Sequence, residues 1–157
     1  DPEMSRGLGD VYKRQVIFVI LPNLPGSGIN GATKKIGQNV MLMVNDRRFY
    51  SDTFWFTLFH EIGHIINGDY GITFENEHAG QEDAADKYAE DKLIPPGEYE
   101  AFVRMNEFSE NAIRRFAERI DRDPGIVLGR LQNDQIVPFT NVALSKALKH
   151  KYKVITS

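Results

Sequence analysis

The run His60-Glu61-Ile62-Gly63-His64 sits inside a stretch from Asp52 to Gly68 whose apolar residues recur at helical spacing. Asp52 or Ser51 is a fitting N-cap, and Gly68 stands where a helix stops. Histidines four residues apart project from one side of a helix, about one turn apart, so His60 and His64 can reach a single ion. Zinc suits such a pair, because imidazole is a good ligand and a rigid helix fixes part of a tetrahedron. Glu61 leans over the same edge, where a carboxylate can take a proton from an activated water without being a ligand. Leu58, Phe59, Ile62, Ile65 and Ile66, with Trp55 before them, are expected to cover the remaining faces and bury the helix. The plainer reading is a chance motif whose histidines are solvated or packed in a core. A buried helix disfavours it, because an uncompensated Glu61 charge there would be costly.

A third ligand is sought downstream. Gln81 to Leu93 is acidic in its first turn and ends before Pro95-Pro96, the pattern of a second helix. Glu82 and Asp86 are four apart on one face, and the alanines between and after them permit close helix packing. Glu82 would complete a His₂Glu zinc site with one position open for water. Asp86 would accept a hydrogen bond from the non-ligating nitrogen of one histidine and fix its tautomer. Asp83 is a rival ligand but points about 100° away around the axis. An acidic helix start needs no metal, which is the competing explanation for Glu82.

A chain of 157 residues suffices for one domain with a sizeable core. Its net charge of -3 argues against a general polyanion binder. With no cysteine it has no disulfide, no thiolate zinc site and no Cys nucleophile, which fits a cytoplasmic location. The longest apolar run, Val16 to Leu21, is too short to span a membrane.

Residues 1–15 show no periodicity, and Gly7 to Gln15 resembles translated vector or adapter sequence, so this leader is set apart from a single domain over 16–157. Val16–Leu21, Ile29–Lys35 and Val40–Val44 read as three strands of a small antiparallel sheet. With the helices that follow, they predict an α+β domain: sheet and metal-binding helix pair over 16–98, a helical part over 99–157. Asp46-Arg47-Arg48 reads as a solvated charged turn, and Asp69 to Gly80 as a polar loop beside the metal helix. Tyr70 and His78 in that loop, and Tyr88 and His150 elsewhere, are the candidates for hydrogen-bonding an oxyanion; the sequence does not choose among them.

The last third carries a second hypothesis. Ser109 opens a helix with Ile113, Phe116, Ala117 and Ile120 as its stripe, and Pro124 starts another to Gln132 after a turn. The spacing is that of a helix-turn-helix, with Arg114, Arg115, Arg119, Arg122 and Arg130 available to phosphates. Base readout needs polar residues where Ile126-Val127-Leu128 stand, so the pair reads better as packing, without direct nucleic-acid binding. Asn141 to Tyr152 reads as a terminal helix.

Phe54 to His64, then Glu82-x-x-Ala85-Asp86-x-Tyr88-Ala89, Leu93-Ile94-Pro95 and Gly129-Arg130-Leu131-Gln132, resemble the ImmA/IrrE family of metallo-endopeptidases. Asp86 and Tyr88 depart from it, standing where Asn and Phe are frequent. The resemblance implies a zincin-like fold, with zinc held by His60, His64 and Glu82 and with Glu61 as base. It further implies a protein substrate, which for some members is a DNA-binding repressor. Other members are fused behind a helix-turn-helix region, so the alternative is a regulatory, antitoxin-like module in which the zinc site is structural or little used. The expected activity is peptide-bond hydrolysis, Glu61 taking the water's proton and passing it to the leaving amine.

Overall fold

The structure is a computed structural model that describes residues 15–22, 26–45, 50–74 and 80–152, with the side chains of 73, 74 and 80–82 left out. The leader over 1–14, the Asp46-Arg47-Arg48 turn and His78 lie outside the described residues. The described residues form four strands: β1 (Val16–Leu21), β2 (Ile29–Ile36), β3 (Asn39–Asn45) and β4 (Gly71–Phe74). Six helices accompany them among the described residues: α1 (Ser51–Asn67), α2 (Gly80–Leu93), α3 (Pro96–Arg104), α4 (Glu110–Arg119), α5 (Pro124–Asn133) and α6 (Val142–Leu148). The class is mixed α+β.

The sheet corrects the expectation of three antiparallel strands. Its order is β1-β3-β2-β4. The β2–β3 hairpin is antiparallel, turning at Gly37, whose φ of +60° suits glycine in a two-residue loop. β1 lies parallel to β3, pairing Val16 with Val40 through Leu21 with Asn45. Gln15, placed with the leader above, already accepts a hydrogen bond from Val40 N. β4 comes from the stretch read as a polar loop and closes the other edge by antiparallel pairing with β2. Its four residues alternate too briefly to stand out from polar surroundings. Thr33, Leu42 and Val44 are buried on one face of the sheet and Ala32 on the other, while Val16, Ile17, Phe18, Ile20 and Leu21 of the β1 edge are exposed.

Helix α1 crosses between this sheet and the helical part. Neither Ser51 nor Asp52 caps it: the N-cap is Tyr50, with no side-chain hydrogen bond. The orphan N–H of Ser51 is taken by His150 O at 2.9 Å, and Tyr50 bridges Lys151 in an antiparallel pair. The expected helix over Asn141–Tyr152 therefore stops at Leu148, because the chain must extend to reach the start of α1. Gly68, at φ +74°, ends α1 with its N–H on the His64 and Ile65 carbonyls.

The burial of α1 also differs from expectation. Its buried residues are Ser51, Thr57, His60, Glu61, Gly63 and His64, whereas Leu58, Phe59, Ile62 and Ile65 are half-buried and Ile66 is exposed. The motif face, not the apolar one, is turned inward against β2, β3 and α2. Gly63 permits this: a Cβ there would lie 3.2 Å from Ala85 Cα and 3.3 Å from Tyr88 Cβ, so the two helices meet nearly backbone to backbone.

The main apolar core belongs to the helical part. Ile113, Ala117, Val127, Leu128, Leu131 and Leu148 are fully covered, and Phe102 stacks on Phe116 with centroids 4.3 Å apart. Helix α3, not anticipated, starts at the same Pro96 that stops α2 and contributes Tyr99 and Phe102. Ser109, Asp123 and Asn141 cap α4, α5 and α6 by accepting backbone N–H groups. The apolar start of α5 is core, with Ile126, Val127 and Leu128 all buried. Four of the five arginines considered for phosphate contact are engaged within the protein. Arg114 donates to Ala147 O, Arg119 pairs with Glu98 and Arg130 pairs with Glu90 and Asp134. Arg122 donates to the Leu93 and Lys92 carbonyls at 2.9 and 3.4 Å, closing the C-terminus of α2. Arg122→Ala strands those carbonyls and is expected to lower stability by about 1–3 kcal/mol, read as a shift in the urea midpoint.

Candidate metal centre

The site forms where α1 and α2 pack together, His60 beside Asp86 and Gly63 against Ala85 and Tyr88. Small residues make that approach possible: Gly63 on one helix, Ala85 and Ala89, both fully buried, on the other. Side chains one turn apart on α1 then meet, as 3.6-residue geometry requires. The Nε2 atoms of His60 and His64 lie 3.0 Å apart, their rings nearly perpendicular at 81°.

Behind each ring stands a carboxylate. Asp86 Oδ1 is 2.7 Å from Nδ1 of His60. Asp69 Oδ2 is 3.9 Å from Nδ1 of His64. By accepting the Nδ1 proton, Asp86 puts the His60 lone pair on Nε2, the tautomer a metal ligand needs. Both histidines are about 95% covered by protein. Phe56, one turn before His60, lays its ring against that imidazole at 6.2 Å between centroids.

Glu61 is completely buried, on the side of α1 that faces β2. Gly31 of β2 is its neighbour. A Cβ at Gly31 would come within 2.6 Å of Glu61 Oε1 and 2.8 Å of Cδ and Cγ, so only glycine lets the strand pass so close. The Thr33 hydroxyl, also on β2, accepts from Gly71 N and donates to Asp69 O. That link holds the segment after α1, and with it the Asp69 carboxylate, beside His64.

The structure thus brings together His60, His64 and Asp86 of the residues singled out in the sequence, and buries Glu61, next to His60 in the chain, against Gly31 of β2. Glu82 lies on α2 one turn before Asp86, and its side chain is not among those described. Among the described residues no group of three or more His, Cys, Asp or Glu is arranged to hold a metal ion; the converging pair is His60 and His64. Asp83, exposed, is not part of it. Of the oxyanion candidates, Tyr70 is exposed just after Asp69, and Tyr88 packs its Cβ toward Gly63. His150 sits beside Asp123 at the start of α1, nine residues or roughly 13 Å of helix from His60. Sequence reasoning missed Gly31, Asp69 and Phe56. A glycine inside a strand was the available signal for the first, and an acid directly after the helix-ending Gly68 for the second.

The donor set fits zinc. Two imidazole nitrogens on one tetrahedral zinc lie about 3.3 Å apart, close to the separation seen here. Neutral nitrogen donors with carboxylates on their outer edges are the environment that zinc takes in preference to calcium or magnesium. Compared with known proteins, the chain matches no family model and no curated sequence.

Proposed function

We propose that this chain is a zinc-dependent endopeptidase domain of the zincin kind, similar to the ImmA/IrrE metallopeptidases. The observation that carries the reading is the convergence of the His60 and His64 Nε2 atoms, with Asp86 on the outer nitrogen of His60 and Glu61 next in the chain. Glu82 is the proposed third ligand from its position one turn before Asp86 on the helix that packs against the histidines. A zinc ion held there supplies Lewis acidity to a water and to the scissile carbonyl. Asp86 holds the His60 ring in its tautomer and orientation. Glu61 takes a proton on its carboxylate and returns it to the leaving amine nitrogen. The wall formed by Gly31 and β2 limits how far that carboxylate can swing. The substrate on this reading is a protein, with a DNA-binding repressor the first to try and a cytoplasmic setting the one to try it in. Among the described residues no helix is long and apolar enough to cross a membrane.

Zinc content decides the first step. The native chain is expected to bind zinc stoichiometrically, with Glu82→Ala weakening it sharply and Asp86→Asn by about 10–100-fold. Both would be measured by metal analysis after dialysis against a graded chelator. A native chain that takes up no zinc when it is supplied would overturn the reading.

A further inference from the structure

One turn and two turns before His60 on α1 stand Phe56 and Asp52, and both line a cleft of about 260 Å³ outside the metal centre. Its other walls come from α2 with Ile94 after it, from α5, from Phe139 between α5 and α6, and from Lys149 after α6. Phe56 is shared: its ring centroid lies 6.2 Å from that of His60, and it also lines the cleft. Leu93 and Ile126 add apolar surface. Pockets for drug-sized ligands run to about 300–1,000 Å³, so this one is sized for a single long side chain.

The polar groups decide which side chain. Asp52 Oδ2 is 3.3 Å from Lys149 Nζ, but its Oδ1 is buried and accepts no hydrogen bond among the described residues. A buried carboxylate oxygen left without a donor is costly, and a ligand N–H would relieve it. Across the cleft, Glu90 lies 3.6 Å from Arg130, a loose contact, because Arg130 donates to Asp134 at 2.9 Å and stacks over Tyr99 at 4.5 Å. Burial pushes the Glu90 carboxyl above its ordinary range and the Arg130 charge only partly reverses this, so the group is short of positive charge. Two carboxylates (Asp52, Glu90) and two cations (Arg130, Lys149) line the cleft, and Arg130 is held by Asp134 outside it.

Building on the peptidase reading, we propose that this cleft is a specificity pocket that receives a lysine or arginine side chain of the substrate. Its methylene stem would lie along Phe56 and Ile126, and its ammonium or guanidinium would donate to Asp52 Oδ1 and to Glu90. Phe56, which lines the cleft and has its ring 6.2 Å from that of His60, would link the bound residue to the metal centre.

The test reads binding without turnover. Acetyl-lysine methylamide, acetyl-arginine methylamide, acetyl-norleucine methylamide and acetyl-glutamate methylamide are titrated into the full chain. Amide NMR shifts of Thr53, Gly129 and Arg130 report occupancy. The two basic amides are expected to bind about tenfold or more tighter than norleucine, which has the stem without the charge, and Asp52→Asn and Glu90→Gln to erase that margin. Equal binding of lysine and norleucine, or a preference for glutamate, overturns the pocket. The lysine-to-norleucine ratio on the unmodified chain decides the matter if either variant fails to fold. An inactive protein that prefers lysine overturns the peptidase reading and leaves the pocket's selectivity standing. An active one that cleaves peptides without regard to lysine or arginine overturns the pocket alone.

Discussion

Glu61→Gln is expected to keep the fold and the metal while reducing peptide-bond cleavage by about 10²–10⁴-fold, the usual contribution of a positioned general base. Glutamine has nearly the shape of glutamate, so the fully buried site beside β2 is filled as before. What the amide lacks is the capacity to accept and return a proton. The variant therefore separates two properties that a ligand mutation would lose together. Metal content is measured on the same preparation that is assayed for turnover. Unchanged zinc with lost turnover assigns Glu61 as the base; retained turnover removes it from that role.

Gly31→Ala carries the second large effect, and it bears on the same carboxylate from the other side. The added methyl would meet three Glu61 side-chain atoms at 2.6 to 2.8 Å. Neither party has an easy retreat. β2 is hydrogen-bonded to β3 on one side and β4 on the other, and Glu61 has no exposed surface. Overpacking of this kind is expected to cost about 1–3 kcal/mol of stability. Turnover should also fall, because the carboxylate can yield only by leaving its position. A double-mutant cycle checks the cause: in a Glu61→Ala background the penalty of Gly31→Ala should largely disappear. An undiminished penalty there would mean the strand itself, not the carboxylate, resists the methyl group.

How much of this was legible beforehand depends on how local each feature is. His60 and His64 meet because four residues make about one helical turn, and α1 spans Ser51–Asn67 with Gly68 at its end much as the apolar spacing and the glycine indicate. Asp86 faces His60 for a similar reason, once α2 is known to lie against α1. The sheet was less legible. Whether β1 joins β2 or β3, and in which direction, depends on pairings between segments far apart in the chain, which no short-range pattern encodes. The buried face of α1 departs from the rule that apolar residues mark the inside of a helix. The helix lies between a sheet and a second helix, and the close approach at Gly63 draws the polar motif face inward. The tail illustrates the same limit: Lys149 to Lys151 extend because a distant helix start needs an acceptor.

That last contact sets an order of events. The first turn of α1 is closed by the His150 carbonyl, supplied by chain synthesised roughly a hundred residues later. Until that segment has left the ribosome, the helix bearing both histidines lacks the acceptor at its N-terminus, and the Tyr50–Lys151 bridge cannot form. The frame that holds the histidines is therefore completed only after the sheet and α2 have had time to pair.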